Sequence, residues 1–339
     1  LSSPDPTSVT TFLEFLKRDL IGDAIVHHEV LPATEERLVH DCEHLGAQAQ
    51  RVLRAAGIDA PYTHQEEGIR KIMEGHNVVV STPTASGKTL IYNTAVLSSL
   101  LEDPTRCALY IFPLKALEQD QLEELQALLT RLGGGLRAEI YDGDTKPHVR
   151  QKIRENPPNI LITTPDMLHS GILAFHEQWE LFLRNLSFIV IDELHTYSGI
   201  FGSHVLHLFR RINRVCASCG SDPAYITSSA TIGNPQELAS RLLNRPFYAV
   251  TDNGAPMAAR HFVFLNPSES PNTVAARLLQ MSVIKQFRTI VFTRARVITE
   301  LIYRWATQNR RELRDRISSY RAGYLPEERR QIEASLHTG

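Results

Sequence analysis

The chain has 339 residues, 42% hydrophobic and 22% charged, which fits one large or two ordinary globular domains and excludes a disordered polar chain. A net charge of −2 removes bulk attraction to nucleic acid, so any such contact must follow a local basic or polar track. No stretch approaches 18 consecutive apolar residues, which excludes a membrane-spanning helix, and the polar residues 1–10 carry no secretory pattern.

In chain order, the spacing predicts a helix over 11–20, a strand over 25–30 and helices over 35–46 and 47–56. From residue 77 to about 250, short apolar runs alternate with longer amphipathic stretches. The runs at 77–81, 107–112, 138–141, 160–163, 188–191 and 224–228 are β-rich and nearly continuous, as strands buried on both faces should be. Helices are expected over 88–101, 114–132, 204–215 and 235–243. This alternation implies βαβ units and a doubly wound parallel sheet. Asp252-Asn253-Gly254 and Pro256 break the pattern. A second alternation then begins: strand 261–265, helix 273–286, strand 289–293, helix 295–309, strand 317–320 and helix 326–336. The expected organisation is an N-terminal helical extension (1–45), a complete α/β domain (46–254) and the first part of a second (255–339).

Between the first strand of the main sheet and the next helix lies Ser81-Thr82-Pro83-Thr84-Ala85-Ser86-Gly87-Lys88-Thr89. Phosphates are held by backbone N–H groups converging at a helix N-terminus, where the dipole favours negative charge. Residues 84–89 are therefore the candidate phosphate loop: Thr84, Ala85, Ser86 and Gly87 as the cradle, Lys88 for the β- and γ-phosphates, and Thr89 as a Mg²⁺ ligand. Thr82 stands where the strict pattern has its first glycine. Asp192 and Glu193 follow the run 188–191, at the edge of a parallel sheet where ligands bind. Asp192 is the second Mg²⁺ candidate, and Glu193 is placed to orient the water that attacks the γ-phosphate.

These residues resemble the DExH type of superfamily-two helicase, with motifs in the expected order from Tyr62 to Gly323. Tyr62-Thr63-His64-Gln65 resembles the Q motif, which implies that Gln65 reads the adenine edge. Phe112–Leu117, Thr163–Leu168, Ser229-Ala230-Thr231 and Ile290–Thr293 resemble motifs Ia, Ib, III and IV. Tyr141–Thr145, Asp192–Tyr197, Gly202–Val205, Gly220–Pro223 and Tyr320–Arg330 are similar to bacterial mitomycin-repair helicases and fungal RecQ-related DNA-repair helicases. The resemblance implies a RecA-like fold, ATP and Mg²⁺ as cofactors, and ATP-driven 3′-to-5′ movement on single-stranded or forked DNA in damage repair. It also implies that His195 links the nucleotide to Ser229 and Thr231. No Gln-x-x-Gly-Arg-x-Gly-Arg pattern (motif VI, source of arginine fingers) occurs, nor does the group's C-terminal cysteine cluster. The expectation is an N-terminal part of a longer enzyme, weak as a motor by itself.

Lys115, Thr164, Asp166, Thr293 and Arg294 each follow an expected strand and offer groups that hold a phosphate backbone; Arg321 and Gly323 are further candidates. The alternating charges of Arg310, Arg311, Glu312, Arg314, Asp315 and Arg316 suit a solvated helix face. Four cysteines, Cys42, Cys107, Cys216 and Cys219, are too few and too irregular for a disulfide framework, which predicts a reducing, intracellular setting: cytoplasm or nucleoid in a bacterium, nucleus in a eukaryote. Cys216 and Cys219 have no second pair at zinc-site spacing, so a structural role is expected. An RNA helicase and a nucleic-acid-binding module without turnover remain open readings. A phosphate-loop kinase fits less well, because the further helicase motifs would be surplus to it. Protein partners and oligomeric state are not legible.

Overall fold

The computed structural model describes residues 9–308 and 310–338, so the expected helix end at 309 lies outside the described residues. The chain divides into two units: Thr34–Met257, and the described residues of 1–33 together with those of 258–339.

Nine strands are labelled in chain order: β1 Ile25–Leu31, β2 Val78–Ser81, β3 Cys107–Ile111, β4 Ala138–Ile140, β5 Ile160–Thr163, β6 Leu186–Ile191, β7 Ala224–Ser229, β8 Tyr248–Val250 and β9 Arg260–Leu265. In the Thr34–Met257 unit, seven of them form one sheet in the order β4-β5-β3-β6-β7-β2-β8, every pair parallel. Successive side chains of a strand face opposite ways, and the sequence supplies apolar residues for both. Val79, Leu109, Leu161, Ile189 and Ile191 join the core on one face with Trp179, Phe182 and Phe209. Val78, Val80, Ala108, Tyr110, Ile160, Ile162 and Val190 join the other, under Ile69, Ile91, Val96 and Leu125. Each buried aliphatic side chain contributes roughly 1.5–3 kcal/mol, so the doubled faces account for much of the sheet's hold. Helices Thr63–Met73, Lys88–Glu102, Lys115–Leu132, Pro147–Glu155, Gly199–Cys219 and Pro235–Leu243 flank the sheet.

Three differences from expectation have physical causes. Residues 35–42 are not helical. Thr34 bridges Met257, Leu38 bridges Tyr62, and the Arg37 and Val39 amides donate to the carbonyls of Gly254 (2.8 Å) and Pro61 (2.9 Å). These long-range pairs satisfy backbone groups that a helix would have used. Strand β8 and the helix Pro147–Glu155 were not expected, since the first is three residues long and the second is largely polar. Segments 289–293 and 317–320 form no strand, for a strand needs a ladder partner and they have none among the described residues. Ile290 and Phe292 are accordingly 62% and 91% exposed.

In the other unit, β1 pairs antiparallel with β9. The N-terminal segment therefore shares a unit with residues expected to begin a second domain, whereas residues 34–45 belong with the main sheet. Helices Pro271–Ile284 and Arg296–Thr307 meet over Ala276, Leu279, Val283, Ile302 and Ala306.

Candidate active site

Because β2 lies beside β7 and β7 beside β6, the loops leaving their C-terminal ends converge on one edge of the sheet. Beyond β2 the chain turns through residues 82–87 into the helix Lys88–Glu102. The turn requires left-handed backbone at Ala85 (φ +62°) and Gly87 (φ +79°). The amides of Gly87, Lys88 and Thr89 donate to no group among the described residues, as the first turn of a helix leaves them. Thr82 fits in place of glycine because its side chain points inward, where its hydroxyl meets the Ser86 hydroxyl at 2.6 Å.

Lys88 Nζ donates to the carbonyls of Thr82 (2.9 Å) and Pro83 (3.0 Å), so it lies folded over the loop. Burial lowers its pKa, against the opposing pull of Glu193 and Asp192. Gln65 is buried: its Oε1 accepts from the Tyr62 amide (2.9 Å), and its Nε2 donates to the carbonyls of Gly87 (3.2 Å) and Ser86 (3.4 Å). The expected adenine reader thus holds the loop 82–87 in this structure. Thr84 is exposed at the turn, and Thr89 Oγ1 accepts from the Tyr92 hydroxyl at 3.3 Å.

Asp192 and Glu193 leave β6 at the same edge. Asp192 Oδ1 accepts from the Glu193 amide (3.0 Å) and from the Ser228 hydroxyl on β7, leaving Oδ2 for a cation. Burial raises the pKa of both carboxyls, and for Glu193 the neighbouring Asp192 charge adds to it. Glu193 sits at φ +51°, a left-handed position uncommon outside glycine and found at functional turns. His195 Nδ1 lies 3.2 Å from Glu193 Oε2, 3.3 Å from the Ala230 amide and 3.5 Å from Ser229 Oγ. One nitrogen cannot serve both neighbours at once: protonated it donates to Glu193, bare it accepts from Ala230. Ser229 and Ala230 therefore compete with Glu193 for His195 Nδ1, whereas Thr231 is exposed. The hydroxyl of Ser81 donates to the Ala230 carbonyl (3.0 Å) and accepts from the Ile232 amide (3.4 Å), joining β2 to the same turn.

Of the expected nucleic-acid residues, Lys115, Thr164 and Asp166 follow the neighbouring strands β3 and β5, and Thr293 and Arg294 belong to the other unit. Lys115 Nζ is engaged by Asp144 (2.9 Å) and Asp142 (3.8 Å). Thr164 caps the turn Pro165–Met167, accepting from the Met167 amide, and Asp166 and Arg294 are exposed. The Thr293 hydroxyl pairs with that of Thr299 at 2.6 Å. Sequence reasoning missed Ser81, Ser228 and His64, and also Glu118, a buried carboxyl without a hydrogen-bond partner whose pKa burial pushes up to about 8. The pair Cys216 and Cys219 lies on the helix Gly199–Cys219, with Cys216 in the core, and all four cysteines are free.

The loop 82–87, a paired carboxylate and a histidine shared between neighbouring strands thus meet at one edge of a parallel sheet, the arrangement of the helicase class. Residues 62–238 match the DEAD/DEAH box helicase family, and the chain belongs to that family. It is 44% identical over 343 residues to "Uncharacterized ATP-dependent helicase YprA" of Bacillus subtilis, covering 98% of this chain and 45% of that protein. With "ATP-dependent helicase HRQ1" of Saccharomyces cerevisiae it shares 33% identity over 98% of this chain and 32% of that one. The structure of the DUF1998 helicase MrfA bound to DNA and AMPPNP superposes at a TM-score of 0.88, with 42% identity, covering 96% of this chain and 47% of the other. The main sheet is thus of the RecA-like kind, and the chain spans less than half the length of these relatives.

Proposed function

We propose that this chain is the ATP-binding part of a DNA helicase that moves 3′ to 5′ on single-stranded or forked DNA in damage repair. The observation that carries the reading is the convergence of Lys88, Thr89, Asp192, Glu193 and His195 at one sheet edge, with unpaired amides at the helix start. Those amides and Lys88 fit a phosphate chain; Thr89 and Asp192 Oδ2 would hold Mg²⁺. Bound ATP supplies the phosphoanhydride whose hydrolysis drives movement. Lys88 leaves the Thr82 and Pro83 carbonyls to neutralise phosphate charge, and Glu193, made more basic by burial, accepts the proton of the attacking water. His195 then reports the state of Glu193 to Ala230. DNA as the track is supported by MrfA, whose structure is bound to DNA.

The test is ATP hydrolysis by the full-length protein with single-stranded DNA or RNA of equal length. Stimulation by DNA alone is expected; stimulation by RNA alone would replace this reading with that of an RNA helicase.

A further inference from the structure

His64 is 1% exposed and hydrogen-bonded at both ends of its ring to backbone. Nδ1 accepts from the Gly254 amide at 3.1 Å, which leaves the proton on Nε2, and Nε2 donates to the Ser86 carbonyl at 2.9 Å. The two partners are 168 residues apart in the chain. Ser86 lies in the phosphate loop, and Gly254 lies in the stretch 252–257 through which the chain leaves this unit. The approach is close on the far side as well. A Cβ at Gly254 would lie 2.4 Å from Thr63 Oγ1, 2.9 Å from the Thr63 amide and 3.1 Å from the Arg37 carbonyl. Only glycine lets the backbone come near enough for its amide to reach the imidazole. The stretch is held further by Arg37, which donates to the Asn253 carbonyl and pairs with Asp252 at 2.7 Å.

We propose that His64 is a positioning residue that relays the state of the phosphate loop to residues 252–257. The inference rests on the ATP-site reading above. A rigid ring with one donor and one acceptor, both satisfied, acts as a strut: when phosphate draws the loop's amides and the Ser86 carbonyl shifts with them, the ring must follow, and the Gly254 amide with it. Burial alone requires that both ring nitrogens be satisfied; it does not require that one partner lie in the loop 82–87 and the other in the stretch 252–257. Sequence reasoning assigned a role to Gln65 and none to its neighbour, because a lone histidine beside a glutamine gives no hint of a partner so distant in the chain.

The experiment is hydrogen exchange on this chain, with and without a non-hydrolysable ATP analogue and Mg²⁺, in the parent and in two variants. H64N keeps an acceptor for Gly254 at the Nδ1 position but no longer reaches Ser86. H64Q keeps a donor towards Ser86 but carries no acceptor at the Nδ1 position that faces the Gly254 amide. In the parent, the analogue is expected to change exchange at 252–257 by about tenfold, one hydrogen bond's worth. In both variants the analogue should still bind, and that change should disappear. H64N should keep the parent's exchange at 252–257 when no nucleotide is present, which separates a relay from simple anchoring. An undiminished nucleotide effect in either folded variant, with the analogue bound, would overturn the relay. Failure of the parent chain to bind the analogue would overturn the ATP-site reading and the relay with it.

Discussion

Gly87→Ala probes the geometry of the loop 82–87, and the structure sets its cost. At φ +79° a side chain is strained by roughly 1–2 kcal/mol. The new Cβ would lie 2.3 Å from Gln65 Nε2, well inside contact distance, so the buried amide must move by about 1 Å. That movement breaks its bonds to the Gly87 and Ser86 carbonyls and pulls on the Tyr62 amide. At about 1 kcal/mol for each bond, the loss is roughly 2–3 kcal/mol beyond the strain. Gln65→Ala removes the obstructing group, so adding Gly87→Ala to it should cost only the backbone strain. Urea denaturation of the parent, the two single variants and the double variant measures the coupling, expected at about 2–3 kcal/mol. Strictly additive losses would show that Gln65 does not brace the loop as described. A Gly87→Ala chain as stable as the parent would refute the loop geometry itself.

Glu193→Gln should leave ATP affinity within about threefold of the parent while lowering turnover of the full-length protein by at least about a hundredfold, since the water loses its base; equal turnover in a steady-state assay would give Glu193 another role. Glu118 supplies a pH dependence. Its folded pKa, raised to about 8 by burial and then by the Asp142 charge, stands above the ordinary carboxyl value of 4.5. The folded state thus holds a proton that the unfolded state releases, so the stability is complete below about pH 4.5, declines as pH rises and is lost above about pH 8. Glu118→Gln cannot ionise, so its advantage over the parent should grow by roughly 1–3 kcal/mol between pH 6 and 9 in chemical denaturation. A constant difference across that range would mean that Glu118 titrates normally.

The strands buried on both faces were legible because Val78–Ser81, Ile160–Thr163 and Leu186–Ile191 leave no polar face, a pattern few other environments accept. Strand Tyr248–Val250 was not, since it is a short edge whose pairing is decided by β2. The Glu- and Arg-containing residues 35–42 carry helical spacing, yet Gly254 and Pro61 claim their amides, and no local pattern shows a contact so remote. The same division runs through the site. Lys88, Asp192 and Glu193 could be put forward from sequence because phosphate and water chemistry limits which residue types serve, and the structure brings them to one sheet edge. Ser81, Ser228 and His64 could not, because a serine or a histidine becomes informative only when its partner on another strand or loop is in place.

The central claim is that residues 82–89 with Asp192 form an ATP site, and calorimetric titration of Mg²⁺-ATP into this chain and its Lys88→Ala variant tests it most directly. Lys88 is a point charge half-buried at the loop and no part of the apolar core, so the variant should fold. A charge-assisted bond to phosphate is worth about 1.5–3 kcal/mol, which predicts an affinity lower by roughly tenfold to a hundredfold in the variant. Equal affinities for the two chains, or no binding by the parent, would contradict the account.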